Sequence, residues 1–293
     1  MLFLLLFLFL ASFSPAKCRN PLPQKLSIFI LAGQSNMAGR GGVVNDTWDG
    51  VVPPQCQPNP SIFRLSQDLA WVVAREPLHS DIDVTKVNGI GPGMAFANAV
   101  LTRDQGIGTV GLVPCAIGGT NVSEWEKGRS LYEQLVRRAK LALQSGGAYA
   151  AMLWYQGESD TVSRENAESY KGRLERFFTD LRYDLQAPSL PIFQVALASG
   201  EGPHINMVRE AQLGIDLPNV HLVDAKGLPL GPDGIHLSTA GQVRLGEKLA
   251  DAFLQSITVS TPLSSNAKDA YTKISSFVVQ WFFIGLCTNL DFR

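Results

Sequence analysis

The chain has 293 residues, 45% of them apolar, with 25 Lys and Arg against 26 Asp and Glu. That apolar share supplies a buried core and excludes global disorder. A net charge of −1 with no Lys/Arg block argues against nucleic acid as a partner, and the length suits one large α/β domain or two small ones.

In chain order, residues 1–10 are apolar throughout, the small residues Ser14 and Ala16 follow, and the first charge is Lys17. A membrane-spanning helix needs about 20 apolar residues, so this shorter run reads as a secretory signal peptide over 1–18, cut near Ala16 or Cys18. An uncleaved anchor is the alternative, because no positive side chain precedes the apolar run. Residues 26–32 form a continuous apolar run of the kind a buried strand shows, and so do 109–114, 148–155, 191–198 and 220–224. Helices are predicted between them, over 94–103 and 130–144. A third buries Ala167, Tyr170, Leu174, Phe177, Phe178, Leu181 and Leu185 at three-and-four spacing. A fourth opens with Thr239-x-x-Gln242, read as a capping box, and buries Val243, Leu249 and Phe253.

Continuous apolar strands alternating with helices predict a three-layer α/β/α sandwich around a parallel sheet of about five strands. The stretch 39–92 breaks the pattern. It is rich in Gly and Pro, and is expected to form long loops, with an extra short strand or helix, that shape a cleft. The domain is expected to occupy 19–257, and 258–293 is expected to be an extension outside the fold. The apolar run 277–287 is too short to span a bilayer. Together with Ser264, Ser265 and Asn266 it loosely matches a lipid-anchor signal, weakened by Asp291 and Arg293 at the end.

In open parallel sheets, ligands bind beyond the carboxyl ends of the strands. Those ends carry Gly33-Gln34-Ser35-Asn36, Cys115 to Thr120 with Gly118-Gly119, Gln156-Gly-Glu158-Ser-Asp160, Ser199-Gly-Glu201, and Asp233-Gly-Ile-His236. Serine becomes a nucleophile only when a base takes its proton. The histidine that does so needs a carboxylate on its other ring nitrogen, and the developing oxyanion needs preorganised donors. Each part alone is unremarkable: Ser35 lacks the second glycine of a Gly-x-Ser-x-Gly elbow, and His79 and His204 also have a glutamate at minus three (Glu76, Glu201). Their convergence on one sheet edge points to acyl transfer.

The blocks 29–42, 111–120, 154–160 and 233–236, in that order, resemble the sialate-O-acetylesterase-like carbohydrate esterases of the SGNH-hydrolase superfamily, closest to the plant branch. The resemblance covers about 26–255. It implies a flavodoxin-like α/β/α hydrolase that removes O-acetyl groups from sugars without a cofactor or metal. Carried over by motif, Ser35 is the nucleophile, His236 the base and then acid, and Asp233 its orienting partner. The Ser35 amide, Gly118 or Gly119, and the Gln156 side chain form the oxyanion hole, where the superfamily usually has asparagine in place of Gln156. Gln34, Asn36, Arg40 and Glu158 are candidates for substrate contact or for support of the nucleophile turn.

A secreted carbohydrate-binding protein and a sugar O-acetyltransferase are the alternatives on the same fold. No His-Glu-x-x-His or paired Cys-x-x-Cys marks a metal site. The expected location is extracellular, at the cell wall, with no stable membrane span in the mature form. On that route Asn45-Asp-Thr and Asn121-Val-Ser are glycan acceptors. Because a glycan on Asn121, two residues past Gly119, would crowd the cleft, that site is expected to stay unoccupied. Of the four cysteines, Cys56 and Cys115 alone fall inside the predicted domain, where an oxidising compartment permits them to pair.

Overall fold

Leu26–Gly33 is apolar apart from Ser27 and is buried along its whole length, as β1. Such a strand is stable only with neighbours on both edges and layers on both faces. In the computed structural model, which describes residues 26–260, β1 has both. The predicted signal peptide (1–18) and nearly all of the extension (258–293), including Cys18 and Cys287, lie outside the described residues.

The sheet comprises β1, β4 (Ile62–Leu65), β5 (Trp71–Val73), β6 (Thr109–Pro114), β7 (Ala148–Tyr155), β8 (Ile192–Ala196) and β9 (Val220–Asp224). Its order is β5-β4-β6-β1-β7-β8-β9, and every pairing is parallel except β4 with β5. The sheet therefore has seven strands, not about five. The two extra strands come from the stretch 39–92. They are four and three residues long, β5 forming the sheet edge and β4 pairing between it and β6, and each is only partly buried, so neither needs a long apolar run. The same stretch forms a small hairpin, β2 (Val43–Val44) with β3 (Thr47–Trp48), whose turn residues Asn45 and Asp46 both have positive φ.

Helices cover both faces. α2 (Pro92–Arg103) and α6 (Thr239–Ser260) pack together on one side, where Phe29 of β1 meets Phe96 at 5.0 Å and Phe253 at 5.1 Å, edge to face. α3 (Ser130–Gln144), α4 (Arg164–Asp184) and α5 (Ile205–Leu213) lie on the other side. There Trp154 of β7 packs on Trp125, Phe177 and Phe178. Burying rings of this size supplies much of the driving force for folding, and edge-to-face pairs add about 0.5–1.5 kcal/mol each. The helix predicted from Ala167 to Leu185 buries the side chains its spacing selects. α6 departs from expectation at its start. Ser238, not Thr239, caps it by accepting from the Gly241 N–H (3.2 Å), and Gln242 turns inward to Asn36.

β6 lies on one side of β1 and β7 on the other, so the loops after these strands diverge and leave a crevice at the carboxyl end of β1. The four-residue helix α1 (Ser35–Ala38) sits there, fully buried. Gly33 makes the tight exit from β1 possible. Its φ is +129°, and a Cβ would stand 2.0 Å from the Tyr155 carbonyl oxygen, which also accepts from the Gln34 N–H at 2.9 Å. Among the described residues no helix is long and apolar enough to cross a membrane.

Gly33→Ala combines a left-handed backbone with an overlap on main-chain atoms. It is expected to cost about 3 kcal/mol or more in denaturant unfolding. An unchanged unfolding midpoint would show that the β1 exit is not the tight junction described.

Candidate active site

The sequence places Ser35 as the first residue of α1, immediately beyond β1, with ordinary helical rather than left-handed backbone. The loop after β9 returns at Asp233–His236, two hundred and one residues away from Ser35 at its histidine, and closes on it: His236 Nε2 lies 2.9 Å from Ser35 Oγ. On the far side of the ring, His236 Nδ1 lies 2.6 Å from Asp233 Oδ2. The Asp233 loop is self-templated, because Oδ1 accepts the N–H groups of Ile235 and His236, both at 2.9 Å. Burial pushes the Asp233 carboxyl up, but those N–H groups and the imidazole outweigh it, so its pKa falls below the usual value. An ionised Asp233 holds the imidazole with its Nε2 lone pair toward Ser35, which is the arrangement needed to take a hydroxyl proton.

The polar support lies beneath. Asn36 Nδ2 donates to Glu158 Oε1 (2.8 Å), while its Oδ1 accepts from the Leu237 N–H (2.8 Å). Gln242 Nε2 donates to the Asn36 carbonyl at 3.1 Å. Gln34 Oε1 accepts from the Gly157 N–H (3.1 Å), and Gln34 Nε2 donates to Ser159 Oγ (3.2 Å). Gln34, Asn36 and Glu158 are fully buried. They brace the nucleophile turn and do not touch substrate space.

A cavity of about 560 Å³ opens over Ser35 and His236, walled by Arg40, the hairpin 43–46, Lys86, Val87, Gly118, Gly119, Glu201 and Pro232. The amides of Ser35, Gly118 and Gly119 make no hydrogen bond to main-chain carbonyls in the turns and loops, leaving them available as donors to a developing oxyanion. Gly118 approaches closely: a Cβ there would stand 2.5 Å from Arg40 Nη2 and 3.5 Å from Ser35 Cβ.

Gln156 does not join them. It is fully buried, and its Nε2 is surrounded by Asp160 Oδ2 (2.6 Å), Thr120 O (2.8 Å) and Gln34 Oε1 (3.2 Å). With three protein acceptors around one amide, no donor remains for an oxyanion. Its work is to tie the loops after β6 and β7 to the nucleophile turn. Arg40 does line the cavity, held by Asp83 Oδ2 at 2.5 Å and Asn88 Oδ1 at 2.9 Å. Sequence reasoning missed Asp83 and Lys86, which carry no motif, and gave Asp160 no role although it closes the block 154–160. It noted Glu201 only as a strand-end residue.

Asn45 lines the cavity, whereas Asn121 caps the short turn Val122–Trp125, so the sequon at the cleft is the first and not the second. Cys56 and Cys115 are buried free thiols. Among the described residues no group of His, Cys, Asp and Glu has the arrangement to hold a metal ion.

A family model described as carbohydrate esterase, sialic acid-specific acetylesterase (SASA), matches residues 25–255. A probable carbohydrate esterase of Arabidopsis thaliana is 56% identical over 243 residues, covering 80% of this chain and 93% of that protein. The crystal structure of an Arabidopsis protein, also 56% identical, superposes with a TM-score of 0.77 over 80% of this chain and 99% of that one. The crystal structure of NanS, 18% identical, covers 80% of this chain and 98% of its own with a TM-score of 0.64, a likeness of fold.

The site rests on two buried carboxyls whose proton affinity burial raises, Glu158 to about 7 and Asp160 to about 6, and desolvation raises Glu76, away from the cavity lining, to about 8. Each holds a proton in the folded protein that the unfolded chain has already released, so stability falls as pH rises from the ordinary value to the raised one. His79 acts oppositely. Burial lowers it to about 3, so stability falls as pH drops from its ordinary value toward that point. Between roughly pH 4.5 and 6 three carboxyls oppose two imidazoles, His79 and His221, which burial also lowers, and above the ordinary histidine range Glu158 and Glu76 continue alone. Asp81, Asp184, Asp224 and Asp233, with lowered values, withdraw stability only in stronger acid. The melting temperature is therefore expected to peak near about pH 4.5 and fall toward pH 8. Calorimetry across that range checks it, and a rise from pH 5 to 8 would contradict it.

Proposed function

The chain belongs to the carbohydrate esterases of the sialic acid-specific acetylesterase family, and from that premise we propose that it removes O-acetyl groups from a sugar through an acetyl-Ser35 intermediate. It is a carboxylic ester hydrolase, a carbohydrate acetylesterase. The observation that carries the finer reading is the unbroken line from Ser35 Oγ to His236 Nε2 to Asp233, at 2.9 and 2.6 Å.

In the proposed course, His236 takes the Ser35 proton as Oγ attacks the acetyl carbonyl. The tetrahedral oxyanion is met by the amides of Ser35 and of Gly118 or Gly119. His236 then gives its proton to the departing sugar oxygen, which leaves as the hydroxyl. Water, deprotonated by His236, attacks the acetyl-Ser35 carbonyl, and the serine departs with the proton restored, releasing acetate. Asp233 stays ionised and stabilises the imidazolium in both halves. Hydrolysis is favoured over transfer to a second sugar because the site is wet: the side chains of His236 and Asp233 are 27% and 47% exposed, and an acyl-enzyme there is open to water. A pure binding protein would have no use for a base at hydrogen-bond distance from its serine.

The substrate in this reading is an O-acetylated cell-wall polysaccharide or oligosaccharide, met after secretion through the predicted signal peptide. The similarity to a plant carbohydrate esterase supports that choice.

Ser35→Ala is expected to lower kcat/KM by at least about 1,000-fold on acetylated xylan oligomers and on 4-nitrophenyl acetate, with His236→Ala equally severe. Asp233→Asn should lose as much or less, since it removes orientation rather than proton transfer. Wild-type rates in Ser35→Ala would overturn the mechanism.

A further inference from the structure

The cavity wall carries two carboxylates that the proposed chemistry does not use, Asp46 on the hairpin and Glu201, of which Glu201 is tied to the nucleophile turn through Ser159. Glu201 lies on its wall beside Ser35 and His236, in the loop after β8. Nothing about the reaction calls for it. A negative charge near a forming oxyanion is unfavourable, so a second carboxylate on this wall needs another reason to be there.

The loop that carries Glu201 is stapled on both sides. Ser199 Oγ donates to the Ile235 carbonyl, one residue before His236. The Gly202 N–H donates to Thr161 Oγ1 at 2.8 Å, and the His204 N–H donates to the Thr161 carbonyl at 3.0 Å. Gly200 and Gly202 allow that approach, since a Cβ on either would stand 2.8 or 2.5 Å from Thr161 atoms. The carboxylate itself is aimed by a short relay. Gln34 Nε2 donates to Ser159 Oγ (3.2 Å), and Ser159 Oγ donates to Glu201 Oε1 (3.0 Å). Gln34 is the residue before the nucleophile, so the relay registers Glu201 against Ser35. Among the described residues no Lys, Arg or His forms an ion pair with Glu201, and Oε1 is bonded to Ser159 while Oε2 has no protein partner and, on an exposed residue, faces the solvent of the cleft.

We propose that Glu201 is the specificity-determining residue for the sugar, accepting a hydrogen bond on Oε2 from a ring hydroxyl next to the acetylated position. A carboxylate fixed at one oxygen and unpaired at the other is an acceptor waiting for a neutral donor, and sugar hydroxyls are such donors. Val43, Val44 and Pro232, which line the same cavity, offer an apolar surface to the C–H side of the ring. This inference rests on the acetylesterase reading and names the group through which that site selects carbohydrate over other acetyl esters.

The test compares kcat/KM for an acetylated xylo-oligosaccharide with that for 4-nitrophenyl acetate, which has no ring hydroxyl to offer. Wild type, Glu201→Ala and Glu201→Gln are measured side by side. Losing a hydrogen bond to a charged acceptor is expected to lower the ratio of the two by about 10- to 100-fold in Glu201→Ala, mainly through KM for the sugar ester. Glu201→Gln keeps an acceptor for Ser159 and should fall between. Equal losses on both esters would assign Glu201 a structural role through Ser159 and Gln34 and overturn the inference. So would an unchanged ratio in a wild type that does deacetylate the oligosaccharide. A wild type that hydrolyses 4-nitrophenyl acetate but never the sugar ester would defeat the carbohydrate reading, and this inference with it.

Discussion

Everything at this site depends on one buried side chain, Asn36. It lies next to Ser35 in sequence and reaches the loop of His236 through the Leu237 N–H, while Glu158 fixes its other end. Two loops that arrive from opposite ends of the chain are thereby locked in register by an amide with no freedom to rotate. A serine and a histidine separated by so much chain meet at 2.9 Å because their neighbours are bonded, not because they attract each other. Catalytic geometry of this kind tolerates little error, since displacements near 1 Å can cost about 100-fold in rate.

The arrangement carries a thermodynamic cost that the fold absorbs. Glu158 Oε2, Asp83 Oδ1 and Gln156 Oε1 are buried without a hydrogen-bond partner. Each such group costs about 1–3 kcal/mol. The continuous apolar core on both faces of β1 and β7, with its rings from Phe29, Phe96, Trp154, Phe177 and Phe253, offsets it. Hydrophobic burial thus holds charged groups in positions that water would never leave them in, and the raised proton affinity of Glu158 records that strain.

The sequence was most legible where a local pattern carried the physics. Central strands buried on both faces read as apolar runs, and α4 shows its buried stripe in its spacing. Ser35, Asp233 and His236 were legible because they sit at the ends of recognisable strands and because the four motif blocks resemble one family. What could not be read was set by tertiary contact. β5 is a short edge strand and β4 its short neighbour, and neither has a run. Gln156 looks like a donor for an oxyanion until Thr120 and Asp160 are seen to surround its amide. The pattern Thr239-x-x-Gln242 suggested a local cap, yet Gln242 serves Asn36 more than two hundred residues earlier. Side-chain amides can bond near or far with equal ease, so their partners lie beyond any local rule.

The central claim is that the line Ser35–His236–Asp233 makes Ser35 a covalent nucleophile. Trapping the intermediate addresses it directly. The protein is mixed with an excess of acetyl ester, quenched in acid within milliseconds to seconds, and its peptides are mapped by mass spectrometry. The account predicts an acetyl group on Ser35 that is absent in His236→Ala. Steady turnover with no acetylated peptide, or with the acetyl group on a different residue, would contradict it.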